Sequence, residues 1–128
     1  MTIEEVKNYC LSLNNVCLCR PFDEITEVVK HCSNGKMFAL FCHPDRKASI
    51  NLKCEPMEAD FLRSVYRGVI PGYHMNKRHW NTIYLESDVP DDEIIRMIDL
   101  AMSSKTQNGD EIKFADEHSI PDWAVQSV

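Results

Sequence analysis

The sequence predicts an α+β domain, a two-layer sandwich in the order α-β3-α-β2-α with an antiparallel sheet and its helices packed on one side. Three observations point there. Apolar residues recur at helical spacing in three separate stretches, short runs of strand periodicity lie between them, and the turns joining those runs are brief. Brief turns favour antiparallel pairing, and helices flanking such a sheet collect on one face.

Each element has its own signal. Thr2-Ile3-Glu4-Glu5 reads as a capping box, after which Val6, Tyr9, Cys10 and Leu13 share a helical face. Val16 to Phe22 reads as short and irregular, because Pro21 stops a regular ladder. Ile25 to His31 is rich in β-branched residues and runs into Asn34-Gly35, a hairpin signal. Met37 to Cys42 is a short apolar run and a central strand. Ala48 to Cys54 alternates, with Ile50, Leu52 and Cys54 on one face and Ser49, Asn51 and Lys53 on the other.

Pro56 suits the first turn of a second helix, whose stripe is Met57, Phe61, Leu62 and Val65. Val69 to Tyr73 is extended and broken by Pro71-Gly72. Trp80 to Leu85 is the next strand, with Trp80, Thr82 and Tyr84 on one face. Pro90 followed by Asp91, Asp92 and Glu93 opens a third helix, where Ile94, Met97, Ile98, Ala101 and Met102 should meet the sheet. The domain is expected over residues 1–104. Residues 105–128 read as a C-terminal extension anchored by Phe114, Ile120, Trp123 and Val125. Phe114 to Ala124 is similar to part of an S-layer homology repeat, but the rest of such a repeat is missing. The plainer reading is an amphipathic tail that docks Trp123 on the domain.

With 128 residues, 44% of them apolar and 27% charged, the chain is sized and composed for one globular domain. Its acidic, amphipathic start is unlike a signal peptide, and no stretch approaches the ~20 apolar residues of a membrane span. A cytoplasmic setting is therefore expected, with all six cysteines as thiols. Cys17-Leu18-Cys19 does not have the C-x2-C spacing of a metal site, so no metal or other cofactor is expected.

The net charge of −6 hides an asymmetry. Residues 31–80 hold eight basic and four acidic side chains, whereas residues 81–128 hold three basic and eleven acidic ones. A basic centre in an acidic chain points to a local face for anions. The plain alternative is that those cations only solvate one side.

Four stretches resemble the MmcQ/YjbR family, in its order and spacing. They are Gly35-Lys36-Met37-Phe38-Ala39, Ser49-Ile50-Asn51-Leu52-Lys53-Cys54, the long run from Val69 through Pro71-Gly72-Tyr73-His74-Met75-Asn76-Lys77-Arg78-His79-Trp80 to Thr82, and Val89-Pro90-Asp91-Asp92-Glu93. The likeness covers roughly residues 2–104. It implies the same layout, a CyaY-like domain, and DNA binding through a "double wing" sheet surface.

The candidate site follows from residue chemistry. Tyr73, His74, Asn76, Lys77, Arg78, His79, Trp80 and Asn81 combine cations for phosphates with rings that can stack on bases. Asn51 and Lys53 would extend that polar face from the neighbouring strand. Catalysis has thinner support. His74 and His79 could act as bases, but no nucleophile elbow, phosphate-cradling Gly loop or HExxH motif is present. The expectation is a non-enzymatic protein that binds DNA weakly and without strong sequence preference. The alternatives are a protein or peptide partner, or a small ligand held around His74 and His79.

Overall fold

The computed structural model describes residues 1–42, 46–73 and 75–103; residues 43–45, 74 and 104–128, which include the expected C-terminal extension, lie outside the described residues. The elements run α1 (Ile3–Leu11), β1 (Val16–Cys19), β2 (Val28–His31), β3 (Met37–Phe41), β4 (Ser49–Lys53), α2 (Pro56–Val65), β5 (Val69–Pro71), β6 (Trp80–Tyr84) and α3 (Asp91–Ser103). The fold is α+β. All pairings in the six-stranded sheet are antiparallel, in the order β1-β2-β3-β4-β6-β5.

The layout is α-β4-α-β2-α rather than α-β3-α-β2-α, because Val16–Cys19 is an edge strand. Pro21 ends the ladder only after Cys19. Val16-Cys17-Leu18-Cys19 is an apolar run, but it is only four residues long, half-buried throughout and without alternation, so it is a weak strand signal beside Pro21. Asn15 makes the reversal out of α1 at φ 58°, a conformation asparagine tolerates better than most residues.

Local chemistry sets the other boundaries. The capping box forms as read: the Thr2 hydroxyl accepts the Glu5 N–H at 3.1 Å and the Glu5 carboxylate accepts the Thr2 N–H at 2.8 Å. Between β2 and β3, Gly35 takes φ 74° and donates its N–H to the His31 carbonyl at 2.8 Å. The Asn34 side chain accepts the Lys36 N–H at 2.9 Å, closing the turn. Pro56 occupies the first turn of α2.

The helices lie on one face of the sheet. Val6 and Cys10 of α1, Leu62 of α2 and Ile94, Met97, Ile98 and Ala101 of α3 are buried in one cluster with Val29, Ala39, Ile50, Leu52 and Ile83 of the strands. The opposite face carries a second, smaller cluster of Val28, Leu40, Met75 and Trp80. The register explains it: Val28 pairs with Leu40, Leu40 with Asn51, and Asn51 with Thr82, which places these residues on the helix-free side.

Four cysteines are thiols, but Cys17 and Cys32 form a disulfide, which corrects the expectation of six thiols. The β1–β2 ladder makes this possible. It pairs Val16 with His31, and Asn15 accepts the Cys32 N–H at 2.8 Å, so the two Cα atoms stand 5.6 Å apart. That lies within the range a disulfide spans. Without reductant, alkylation of the denatured protein should tag four cysteines, and after reduction six. Mass spectrometry showing six tags without reductant would mean the pair is open.

Asp88 ties together the two connections at the top of the sheet. Its carboxylate accepts the backbone N–H of Arg67 at 2.7 Å and of Gly68 at 2.8 Å, and these donors hold its pKa below the usual aspartate value. A depressed folded-state pKa stabilises fully above the ordinary aspartate range, and that stabilisation is lost as pH falls through the folded value. The destabilisation by Asp88→Asn should therefore be largest near neutral pH and shrink in acid. Urea midpoints measured across pH check this, and a difference that stays constant with pH would contradict it.

Candidate functional site

The β5–β6 hairpin loop, residues 72–79, carries most of the candidate residues. It folds back over the helix-free face of the sheet. Gly72 makes the close approach: its N–H donates to the Trp80 carbonyl at 2.8 Å, and a Cβ there would sit 2.7 Å from Trp80 Cβ. The Tyr73 N–H donates to the Thr82 hydroxyl at 2.9 Å, and that hydroxyl donates in turn to the Asn51 side-chain oxygen. Met75 is buried beside Trp80.

The fold changes the roles of five candidates. Lys53 is not on an exposed polar face: it is 1% exposed, with its ammonium 5.5 Å from the centroid of the Trp80 ring. Asn51 is buried as well, in its hydrogen bond with Thr82. Alternation placed both on the correct side of β4, but the returning loop covers that side. Trp80 is a buried anchor. Asn81 points the other way, to α2, where its oxygen accepts from Arg63 Nε at 2.6 Å and its amide donates to the Ala59 carbonyl at 3.4 Å. His79 is half-buried, and its carbonyl accepts the Cys54 N–H at 2.7 Å.

Three candidates remain at the surface: Tyr73, Lys77 and Arg78. Asn76 is half-buried and shapes the turn, accepting the Arg78 N–H at 3.0 Å on its side chain and the His79 N–H at 3.2 Å on its carbonyl. Lys77 Nζ donates to the Gly72 carbonyl at 3.2 Å, which folds that ammonium back onto the start of the loop. His74 lies outside the described residues.

Other residues join them. The Arg46 guanidinium stands 5.5 Å from the Tyr73 ring centroid and reaches the phenol oxygen at 3.4 Å. Lys47 Nζ is 5.0 Å from the Tyr84 ring centroid. Arg46 and Lys47 are exposed, so the β3–β4 loop brings two cations onto Tyr73 and Tyr84, while the β5–β6 loop that carries Tyr73 exposes Lys77 and Arg78. In the sequence they are only a charged loop, since nothing local shows that it folds beside residue 73. Arg63 was also missed as a positioning residue. Its guanidinium donates to the carbonyls of Lys77 and Trp80 as well as to Asn81, anchoring the basic loop to α2.

The helix layer has the opposite charge. The three helices hold eight acidic and three basic residues. Outside the helices, the described residues include nine basic and six acidic ones.

A family model described as YjbR matches residues 11–101. The chain belongs to the YjbR family. It is 30% identical over 99 residues to protein YjbR of Escherichia coli (strain K12), covering 77% of this chain and 82% of that one. It is 38% identical over 81 residues to YbdF of Escherichia coli O157:H7, covering 63% and 65% of the two chains. Among solved structures, Deinococcus radiodurans protein DR2400, of domain DUF419, superposes with a TM-score of 0.73 at 29% identity over 88% of this chain and 86% of that one. A Pseudomonas syringae protein superposes with a TM-score of 0.69 at 26% identity, over 80% and 97%. The YjbR match spans both the β3–β4 loop and the β5–β6 hairpin, so the whole cation–aromatic cluster lies inside the family domain.

Anchor and surface residues in the β5–β6 hairpin should separate in stability measurements. Trp80→Ala should cost about 3–5 kcal/mol, the usual range for emptying a buried tryptophan site. Lys77→Ala and Arg78→Ala should each stay within about 0.5 kcal/mol, as exposed substitutions do. Urea melts decide, and a double Lys77→Ala, Arg78→Ala protein that unfolds easily would make the basic turn part of the scaffold.

Proposed function

We propose that this chain binds DNA weakly, with little sequence preference, through the helix-free face of its sheet. The observation that supports the reading best is the placement of Arg46 over the exposed Tyr73 ring and of Lys47 over the half-buried Tyr84 ring, next to a hairpin loop that exposes Lys77 and Arg78. Cations of this kind neutralise phosphates, a contact that carries affinity but no sequence information. The acidic helices add a second support. A molecule with one basic and one acidic side is oriented by the field of a polyanion, even at a net charge of −6.

The reading is of binding without catalysis, in the cytoplasm. Burial pushes the Cys10 thiol up to about 12 and the Cys54 thiol up to about 11, so both hold their protons at neutral pH and are poor nucleophiles. Among the described residues, no helix is long and apolar enough to cross a membrane. The small-ligand alternative around His74 and His79 has less support, because His79 is half-buried with its carbonyl engaged by Cys54.

A salt titration tests the proposal. With three or four phosphate contacts, log K for a duplex should fall against log salt with a slope of about −3, at about −0.9 per contact. The double Lys77→Ala, Arg78→Ala change should flatten the slope by about two units, whatever the sequence of the duplex. Fluorescence anisotropy with labelled duplexes measures both. No binding at low salt would end the proposal, and an unchanged slope in the double variant would move the contacts elsewhere.

A further inference from the structure

The helix layer carries an apolar surface that the DNA reading does not use. Met57, Phe61 and Val65 of α2 recur every four residues, so they form one stripe along the helix. They are 87%, 59% and 48% exposed. Isolated exposed apolar residues need no explanation, but a contiguous stripe does.

The stripe borders a groove. At 100° per residue, Phe61 and Val65 lie on the same flank of α2 as Glu58, and Glu58 pairs with Arg96 of α3 at 3.1 Å. Phe61 and Val65 therefore lie toward the flank facing α3, with Met57 at the solvent-facing end of the stripe. On α3, Leu100 stands one turn beyond Arg96 and is 40% exposed. Beneath them runs a crevice lined by Leu52, Cys54, Leu62, Ile83, Met97 and Leu100. The groove thus has an apolar floor and two apolar walls.

The course of the chain singles out an occupant. β4 and β6 are antiparallel; α2 follows the Lys53 end of β4, and α3 begins beyond the Tyr84 end of β6. The two helices therefore run in opposite directions, and α3 ends at the level of the start of α2. Residues 104–128 continue from that point. They include Phe114, Ile120, Trp123 and Val125 in an otherwise mostly polar stretch. Ten residues separate Ser103 from Phe114, and those eleven steps reach roughly 36 Å when extended, while the stripe is only about 12 Å long.

We infer that the segment 104–128 of the same chain docks in the α2–α3 groove, laying Trp123 against Phe61 and Leu100. Tethering favours this occupant over a second copy. The exposed stripe and Leu100 amount to a few hundred Å², well short of the roughly 800 Å² per partner of a standard interface. A tethered segment is already present at an effective concentration on the order of millimolar, and it avoids most of the entropy cost of association. A patch too small to hold a dimer is large enough to hold a tail.

The chain has two tryptophans, Trp80 and Trp123, and Trp80 is buried, so acrylamide quenching of the full chain reports on Trp123. Both rings should be protected in the wild type. In the Met57→Ser, Phe61→Ser variant one of the two should become quenchable. A Trp123 ring that is quenchable in the wild type, or still protected in the variant, overturns the inference. Protection that appears only as protein concentration rises assigns the groove to a second copy and also overturns it. Amide chemical shifts give an independent reading should the serine variant fold poorly. Full-length Trp123→Ser should shift Phe61, Leu62 and Leu100, and no change at those residues refutes the docking.

Discussion

The whole arrangement depends on β4 being buried on both faces in a protein with only one layer of helices. Every residue from Ser49 to Lys53 is buried. The helices account for Ile50 and Leu52. The other three side chains, Ser49, Asn51 and Lys53, are polar and need a different cover, and the β5–β6 loop contributes to it. Glycine at position 72 lets that loop come down onto Trp80, Met75 fills the gap beside the ring, and the backbone of Tyr73 closes a hydrogen-bond chain through Thr82 to Asn51. Buried polar groups are tolerable only when satisfied in this way.

This cover also builds the surface. The loop that shields Lys53 holds Lys77 and Arg78 outward and brings Tyr73 under Arg46. Arg63 fixes the far side of the loop through three acceptors, the carbonyls of Lys77 and Trp80 and the side chain of Asn81. The basic cluster therefore has a rigid base: a tryptophan below, a guanidinium behind and a sheet strand on each side.

Much of this could be read from the residues alone. The capping box at Thr2 and Glu5, the Asn34-Gly35 turn, Pro56 at the start of α2 and the alternation in β4 and β6 are local signals, and the structure honours each. What could not be read depends on long-range cover. Period two puts Lys53 on the helix-free side but cannot tell that a loop more than twenty residues later returns over it. The β1 strand has only a weak signal, four apolar residues without alternation, followed at once by Arg20 and Pro21. The Cys17–Cys32 bond needs that strand first. The cations of the β3–β4 loop count toward the site only once residue 73 is known to sit beside residue 46.

The two edges of the sheet have different exposure to unwanted pairing. A sheet edge is a row of unsatisfied donors and acceptors on which another polypeptide can grow. At one edge β5 is only three residues long, and its last residue, Pro71, has no N–H to offer, so a foreign strand finds almost no ladder to extend. The other edge, β1, ends two residues before Pro21, and the bond from Cys17 to Cys32 staples it to its neighbour. Opening that bond frees β1 to fray from β2. The side of the molecule most prone to aggregate is thus the one whose protection depends on the redox state of two sulfur atoms.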